Sequence, residues 1–264
     1  MGTPLMRLAL FQLDAGKPLG LPEVGDMLAS ARAAGADLAH MPELALPGYG
    51  AGAATLRASA EQAPDTIARL AELVARTGVA LALGLPVVED GQVRNAAVFL
   101  QPGKAPASYA KRFLYGDYER DAFSPGEAVS PLVELAGLRI GLLVCFDVEF
   151  PETVRELATA GADLVLVPTA LPFGDGARFI ARSLVPTRAF ENGVFVSYAD
   201  WCGSDAAFRY QGLSVIAAPD GRALAQAGEA EPDMLLADLD PAGFEATRAA
   251  NDYLGELRAR SGRR

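Results

Sequence analysis

Short runs of apolar and β-branched residues alternate along this chain with longer Ala-, Leu- and Arg-rich stretches whose apolar positions return every three or four residues. The short runs suit buried strands and the longer stretches amphipathic helices, so the pattern predicts a layered α/β domain. Strands are expected at Arg7–Gln12, Asp37–His40, Ala80–Gly84, Asn95–Gln101, Leu138–Val144, Asp163–Val167, Gly193–Ala199, Gly212–Ala217 and Met234–Asp238. Helices are expected at Pro22–Ala34, Asp65–Thr77, Pro151–Ala160, Gly176–Asn192 and Pro241–Arg260. Pro151 suits a first helical turn, where its missing N–H is no loss, and Gly35 and Gly161 suit helix stops.

The pattern also repeats. Gly35-Ala36-Asp37-Leu38, followed by Pro42, returns as Gly161-Ala162-Asp163-Leu164, followed by Pro168. Arg7-Leu8-Ala9-Leu10 resembles Arg139-Ile140-Gly141-Leu142, and Gly48 and Gly50 align with Gly174 and Gly176. Each half reads strand, helix, strand, proline and glycine-rich loop, which predicts two related βαβ units facing each other. Chance similarity in an Ala/Leu/Gly-rich chain is the plain alternative. Under the repeat, Glu43 and Thr169 hold equivalent places just beyond strand ends, where open α/β sheets put ligands.

Composition narrows the field. With 264 residues, 51% of them hydrophobic, the chain can bury one substantial core, and 1–264 reads as a single domain whose segment from about 241 is a helix and tail. A net charge of −10 leaves no basic surplus to neutralise phosphates, which argues against nucleic acid and for a small-molecule partner. Met1 to Leu13 lacks the basic start and long apolar run of an export signal, and windows such as Val79–Val88 are too short to span a bilayer. Two cysteines cannot make a disulfide framework, so a reducing, cytoplasmic compartment is expected. The single histidine, His40, removes most Ser-His, Cys-His and His-ligated metal mechanisms. Carboxylate, lysine and thiol chemistry remains.

Three residues stand out for it. Cys145 ends the apolar run Leu138–Val144 and precedes a helix starting near Pro151, a strand-turn-helix setting in which a thiol can act as nucleophile. Glu43 lies in Met41-Pro42-Glu43-Leu44-Ala45-Leu46-Pro47-Gly48, an apolar neighbourhood that would raise its pKa toward that of a base useful at neutral pH. Lys111 could stabilise an oxyanion, with Glu119 holding its ammonium. Taken singly, each has an ordinary alternative: an inert buried thiol, a loop glutamate capping backbone, a solvated charged loop.

Together these segments resemble the nitrilase, or carbon-nitrogen hydrolase, family, whose catalytic set is a glutamate, a lysine and a cysteine in that chain order. Its motifs map onto Pro42-Glu43, onto Tyr109-Ala110-Lys111 and onto Gly141-Leu142-Leu143-Val144-Cys145-Phe146-Asp147-Val148-Glu149-Phe150-Pro151-Glu152, with further likeness in Val167-Pro168-Thr169-Ala170 and Arg188-Ala189-Phe190-Glu191-Asn192. The resemblance implies a four-layer α-β-β-α sandwich, commonly paired across its helical face into homodimers or larger homo-oligomers. It implies Cys145 as nucleophile, Glu43 as general base, Lys111 and the Phe146 backbone N–H as oxyanion donors, and Glu119 as a second active-site glutamate. Substrate contacts are expected from Tyr49, Tyr115, Glu149, Thr169 and Ala170. No metal or organic cofactor is required. Phe113 stands where relatives commonly carry histidine, which puts the hydrogen bonding of the lysine loop in question.

The implied reaction is hydrolysis of a primary amide to an acid and ammonia through a thioester. The same triad can act on a nitrile or a carbamoyl compound, and a degenerate member serving in binding or assembly is the non-enzyme alternative. Flanking segments look most like 5-aminopentanamidase and R-selective or aliphatic amidases. The nucleophile motif offers Asp147 and Glu149 where a carboxylate-binding enzyme would place arginine. A neutral or cationic aliphatic amide, such as an ω-amino amide, is therefore expected, with Glu149 and Asp200 as candidate ammonium partners.

Overall fold

The computed structural model describes residues 6–17 and 19–261. The start of the segment read for an export signal and the last residues of the C-terminal tail lie outside them. The first half runs β1 (Met6–Asp14), α1 (Leu21–Ala33), β2 (Leu38–His40), α2 (Ala53–Glu61), α3 (Ala63–Thr77), β3 (Ala80–Glu89), β4 (Gln92–Leu100), β5 (Ala107–Ala110) and α4 (Gly116–Ala122). The second begins with β6 (Val133–Leu135), β7 (Leu138–Leu142), a 3-10 turn at Cys145–Glu149, α5 (Pro151–Ala160) and β8 (Leu164–Pro168). A long helix follows as α6 (Ala177–Phe179), a π segment (Ile180–Leu184) and α7 (Val185–Asn192). The chain closes with β9 (Phe195–Ala199), β10 (Trp201–Cys202), β11 (Val215–Ala217), β12 (Ala223–Gln226), β13 (Asp233–Leu239), a 3-10 turn (Pro241–Phe244), α8 (Glu245–Ala250) and α9 (Tyr253–Ser261).

In the first sheet β1, β2 and β3 are parallel, β4 and β5 follow antiparallel on one side, and β13 flanks β1 on the other until β10 takes over at Leu13 and Asp14. In the second, β7, β8 and β9 are parallel, with β6 antiparallel at one edge and β11 and β12 at the other. Alternation along β1 sets the layers. Leu8 and Leu10 join Ile140, Leu166 and Phe195 in a core between the sheets. Ala9, Phe11 and Leu13 pack instead with Val24 and Leu28 of α1 and Leu70 and Val74 of α3. On the second sheet Gly141 of β7 lies so close to Leu157 of α5 that a Cβ there would stand 2.8 Å from its side chain. The result is the expected α-β-β-α sandwich.

The sequence repeat has a hydrogen-bonded counterpart. Asp37 Oδ2 accepts from the Arg7 N–H at 2.8 Å and Asp163 Oδ2 from the Arg139 N–H at 2.9 Å. Each helix stop is closed alike, by Ala36 N–H to Ala31 O and by Ala162 N–H to Leu157 O, with Gly35 (φ 73°) and Gly161 (φ 97°) in the left-handed conformation that favours glycine. The two units meet where expected: the Glu43 N–H donates to Thr169 O at 3.2 Å.

Several elements depart from the sequence pattern. Strands β5, β6, β10 and β12 have only two to four residues and carry little periodicity, and α2 and α4 fall where the pattern predicts loop. The helix expected over Pro241–Arg260 breaks between α8 and α9, where Asn251 leaves helical geometry (φ −129°, ψ 57°) and Asp252 Oδ1 accepts from the Gly255 N–H. The strand expected from Gly212 begins at Val215, because Gly212 and Leu213 have φ of 67° and 61°. No helix among the described residues is long and apolar enough to cross a membrane.

Gly84 links the fold to the site. Its N–H donates to Pro42 O and its carbonyl accepts from the Ala45 N–H, which draws the loop after β2 onto β3. A Cβ at this position would lie 2.4 Å from Leu44 N and 2.5 Å from Glu43 Cα, backbone atoms that cannot swing aside. Gly84→Ala is therefore expected to cost about 1–3 kcal/mol as an overpacked site and to lower the thermal midpoint by roughly 2–10 °C. Thermal unfolding followed by circular dichroism checks this.

Candidate active site

Strand direction brings the chemical groups to one edge. Glu43 follows β2 and Cys145 follows β7, both at carboxyl ends of parallel strands. Because β4 reverses β3 and β5 reverses β4, β5 runs parallel to β3 and delivers Lys111 to the same edge. The Lys111 N–H donates to Asn95 O at 2.8 Å, which prolongs the β4–β5 ladder to that point.

Lys111 is 1% exposed and its ammonium is shared, with Nζ 2.8 Å from Glu43 Oε1 and 2.6 Å from Glu119 Oε1. Burial alone would lower its pKa, but the charges of Glu43, Glu119 and Cys145 more than offset this, and the lysine is held well above its ordinary value. Glu43 Oε1 also accepts from Asn95 Nδ2 at 2.6 Å, while its Oε2 is buried with no partner among the described residues. Burial raises the Glu43 carboxyl to about 7, with Lys111 opposing and Glu119 adding to the rise. Glu119 is fully occupied: Oε1 accepts from Lys111 and from the Tyr49 hydroxyl at 2.9 Å, and Oε2 from the Tyr115 N–H at 2.8 Å.

Cys145 opens its 3-10 turn with φ 44°, a left-handed conformation that a side-chain-bearing residue rarely adopts and that turns the sulfur out of the strand line. Burial raises its thiol well above the ordinary value, Glu43 adds to the rise and Lys111 opposes it. A thiol in this setting rests protonated and needs a base. Phe146 supplies one of the first N–H groups of the turn, which have no partner within it. Cys145 lines a cavity of about 230 Å³ walled by Tyr115, Phe146, Glu149, Leu171, Phe173 and Ile180, among others. This is below the usual range for drug-sized ligands and suits a small one.

The expected substrate residues divide. Tyr115 and Glu149 line this cavity. The Ala170 backbone lies against the sulfur, lowering its pKa through a hydrogen bond. Tyr49 instead supports Glu119 from the far side and lines a separate cavity of about 480 Å³ with Trp201 and Asp205. The Thr169 hydroxyl donates to Val167 O. Asp200 is buried, and its Oδ1 accepts from the N–H groups of Leu171 and Trp201, so it braces the strand ends and does not reach the cavity. His40 is also buried, with Nδ1 2.8 Å from Ser197 Oγ, and burial lowers it to about 3, leaving it neutral and outside the cluster.

Asp147 is a correction. The sequence offers it as one of two acids beside the nucleophile that would make the pocket acidic, but both of its oxygens are already engaged. Oδ1 accepts from the N–H groups of Arg112 and Phe113, and Oδ2 from the Val144 N–H and the Tyr109 hydroxyl. It ties the lysine loop of one sheet to the cysteine turn of the other. The same bonds answer the question raised by Phe113, since the loop is held through backbone N–H groups, while the Phe113 ring stacks on Phe150 with centroids 3.8 Å apart. Asn95 joins the cluster without having stood out in the sequence. Its signal there is a lone amide in the buried run Asn95-Ala96-Ala97-Val98-Phe99.

Asp147→Ala would leave several buried donors without an acceptor, each worth about 1–3 kcal/mol. Chemical denaturation is expected to show a loss of roughly 3 kcal/mol or more. Tyr109→Phe, which removes one donor and leaves the acceptor otherwise engaged, is expected to cost only about 1 kcal/mol.

Comparison with known proteins identifies the family. The sequence matches the carbon-nitrogen hydrolase family over residues 7–249. It is 40% identical to a hydrolase encoded in the pqqF 5′ region of Pseudomonas protegens, covering 97% of this chain and 90% of that protein. It is 33% identical to an (R)-stereoselective amidase of a Pseudomonas species, covering 84% and 80%. Among solved structures, an amidase from a Nesterenkonia species superposes with a TM-score of 0.86 at 38% identity, covering 100% of this chain and 97% of that one. A variant of that amidase with its cysteine replaced by alanine has been solved with butyramide bound. The chain belongs to the carbon-nitrogen hydrolase family.

Proposed function

We propose that this protein hydrolyses small aliphatic primary amides, ω-amino amides among them, to the carboxylic acid and ammonia, with Cys145 as nucleophile. As a carbon-nitrogen hydrolase it is a cysteine-dependent amidase. The observation that carries the assignment of roles is the buried Oε2 of Glu43, without a partner among the described residues, beside a thiol that rests protonated. Glu43 takes the Sγ proton as sulfur attacks the carbonyl carbon, and Lys111 Nζ and the Phe146 N–H receive the oxyanion. Protonated Glu43 then gives that proton to the departing nitrogen as the C–N bond breaks, which releases ammonia and leaves a thioester. Water deprotonated by Glu43 attacks the thioester, and the proton returns to sulfur as the acid leaves.

A short amide is supported by the size of the cavity and by the butyramide complex of the Nesterenkonia amidase. No arginine lines the cavity among the described residues, and Lys111 is already paired with Glu43 and Glu119, which disfavours N-carbamoyl amino acids, whose carboxylate needs a cation. The resemblance supports pairing across the helical face into a homodimer or larger homo-oligomer. Two unpaired cysteines support a reducing, cytoplasmic setting.

Cys145→Ala is expected to abolish ammonia release from butyramide with an unchanged circular dichroism spectrum, while Cys202→Ala retains most activity. Glu43→Gln should block turnover, and Lys111→Ala should lose about 2.7–4 kcal/mol of transition-state stabilisation, read as a drop of roughly two to three orders of magnitude in kcat/KM. Near-normal kcat in any of the three cluster variants would contradict the roles assigned to Cys145, Glu43 and Lys111. An N-carbamoyl amino acid or a nitrile leading a panel against butyramide would overturn the substrate class and leave the nucleophile standing.

The pH profile gives an independent check. Glu43 acts as a base only when ionised, and burial raises its carboxyl from 4.5 to about 7. Activity is therefore present above that value and lost as pH falls through it. The acid limb of kcat/KM for butyramide is expected near neutrality, well above an ordinary carboxylate. An acid limb near the ordinary carboxylate value of 4.5 would contradict a buried Glu43 base.

A further inference from the structure

Asp200 is the one residue between β9 and β10, and the chain changes sheets there. β9 pairs with β8 in the second sheet, while Trp201 of β10 pairs with Leu13 of β1 in the first. The β8–β9 ladder runs to Pro168 and Ala199, and the Thr169 N–H carries it one step further by donating to Ala199 O at 2.8 Å. At the next step the Asp200 side chain takes the place of the departing strand. Its Oδ1 accepts from the N–H groups of Leu171 and Trp201, both at 2.8 Å. Asp200 is itself fully buried, and its backbone N–H donates to Ser214 Oγ at 2.9 Å.

The two segments joined at this oxygen are those that hold the Glu43 main chain. The Glu43 N–H donates to Thr169 O at 3.2 Å, two residues before Leu171, and its carbonyl accepts from the Trp201 indole N–H at 2.8 Å. Ala170, between Thr169 and Leu171, is the residue whose backbone lies against the Cys145 sulfur. Glu43 follows a strand of the first sheet and Cys145 a strand of the second, so the spacing of base and nucleophile is a spacing between sheets. Removing the Asp200 acceptor would strand two buried N–H groups and leave both segments free to shift. Burial raises the Asp200 carboxyl well above its ordinary value, which keeps the group neutral. An amide of the same shape therefore suits its place.

We infer that Asp200 is a positioning residue that fixes Glu43 against Cys145 through the Leu171 and Trp201 N–H groups, without touching the substrate. This rests on the amidase reading and on the roles given there to Glu43 and Cys145. The test measures kcat and KM for butyramide in the wild type, Asp200→Ala, Asp200→Asn and Trp201→Phe. In the first three proteins it also reads the emission of Trp201, the only tryptophan in the chain. Asp200→Ala should lower kcat about 100-fold, the scale of a misplacement of about 1 Å, with KM changed far less. Its emission should move to longer wavelength as the indole leaves Glu43 O. Asp200→Asn, which keeps an accepting oxygen, should restore both. Trp201→Phe, which keeps an aromatic ring and drops the N–H, should lower kcat about tenfold. A merely structural role would lower the thermal midpoint of Asp200→Ala but leave kcat and emission of the folded protein as in the wild type, which overturns the inference. A loss in Asp200→Asn equal to that in Asp200→Ala would also overturn it, because the carboxyl itself would then be needed. Wild-type kcat in Trp201→Phe overturns it even where Asp200→Ala does not fold. Each of these results spares the amidase reading, whereas wild-type protein that releases no ammonia from butyramide would bring down both.

Discussion

One buried ammonium facing two carboxylates is the constraint on which the rest of this structure depends. Lys111 has no access to water, and a lone cation there would be prohibitively desolvated, so Glu43 and Glu119 must both approach it. One positive charge cannot fully compensate two negative ones. Burial raises the Glu43 carboxyl and the Cys145 thiol, and the surplus of negative charge adds to both while Lys111 opposes it.

In this cluster Glu43, Asn95, Lys111 with Glu119, and Cys145 come from four segments. The scaffold answers with close backbone contact. Gly84 lets the Glu43 loop lie directly on β3, and Gly126, whose Cβ would stand 2.4 Å from Ala110 O, lets another segment cover the lysine strand. Asp147 draws the lysine loop and cysteine turn together through four donors, and the Trp201 indole N–H donates to Glu43 O from a further segment. The bonds of Asp147 and Trp201 join the two halves of the repeat at the site.

The fold is legible in the sequence where periodicity is long. The parallel strands and the helices that follow them stand close to where the apolar pattern puts them, and the repeat of Gly-Ala-Asp-Leu proves to be a repeat of hydrogen bonds. Short edge strands such as β6 and β12 are not legible, because a few residues stabilised by a neighbour carry no period of their own. In the site, Glu43, Lys111 and Cys145 stand out in the sequence because their segments resemble known motifs, and the structure brings them together. Asp147 misleads for a physical reason: a carboxylate written beside a nucleophile looks available, and only tertiary structure reveals that four donors from two segments have consumed it.

That difference between an occupied and an available carboxylate also separates the two glutamates of the cluster. Both touch Lys111 Nζ through one oxygen, so charge pairing alone does not distinguish them. Glu119 has its first oxygen shared between Lys111 and the Tyr49 hydroxyl and its second held by the Tyr115 N–H, so both of its oxygens are engaged. Glu43 has both of its donors on one oxygen and nothing on the other among the described residues. A carboxylate so arranged is anchored and still has a free, desolvated acceptor whose protonation is cheap near neutral pH. The same side chain is thus engaged at both oxygens in one place and at a single oxygen in the other, and that difference is what the proposed proton-carrying role of Glu43 rests on.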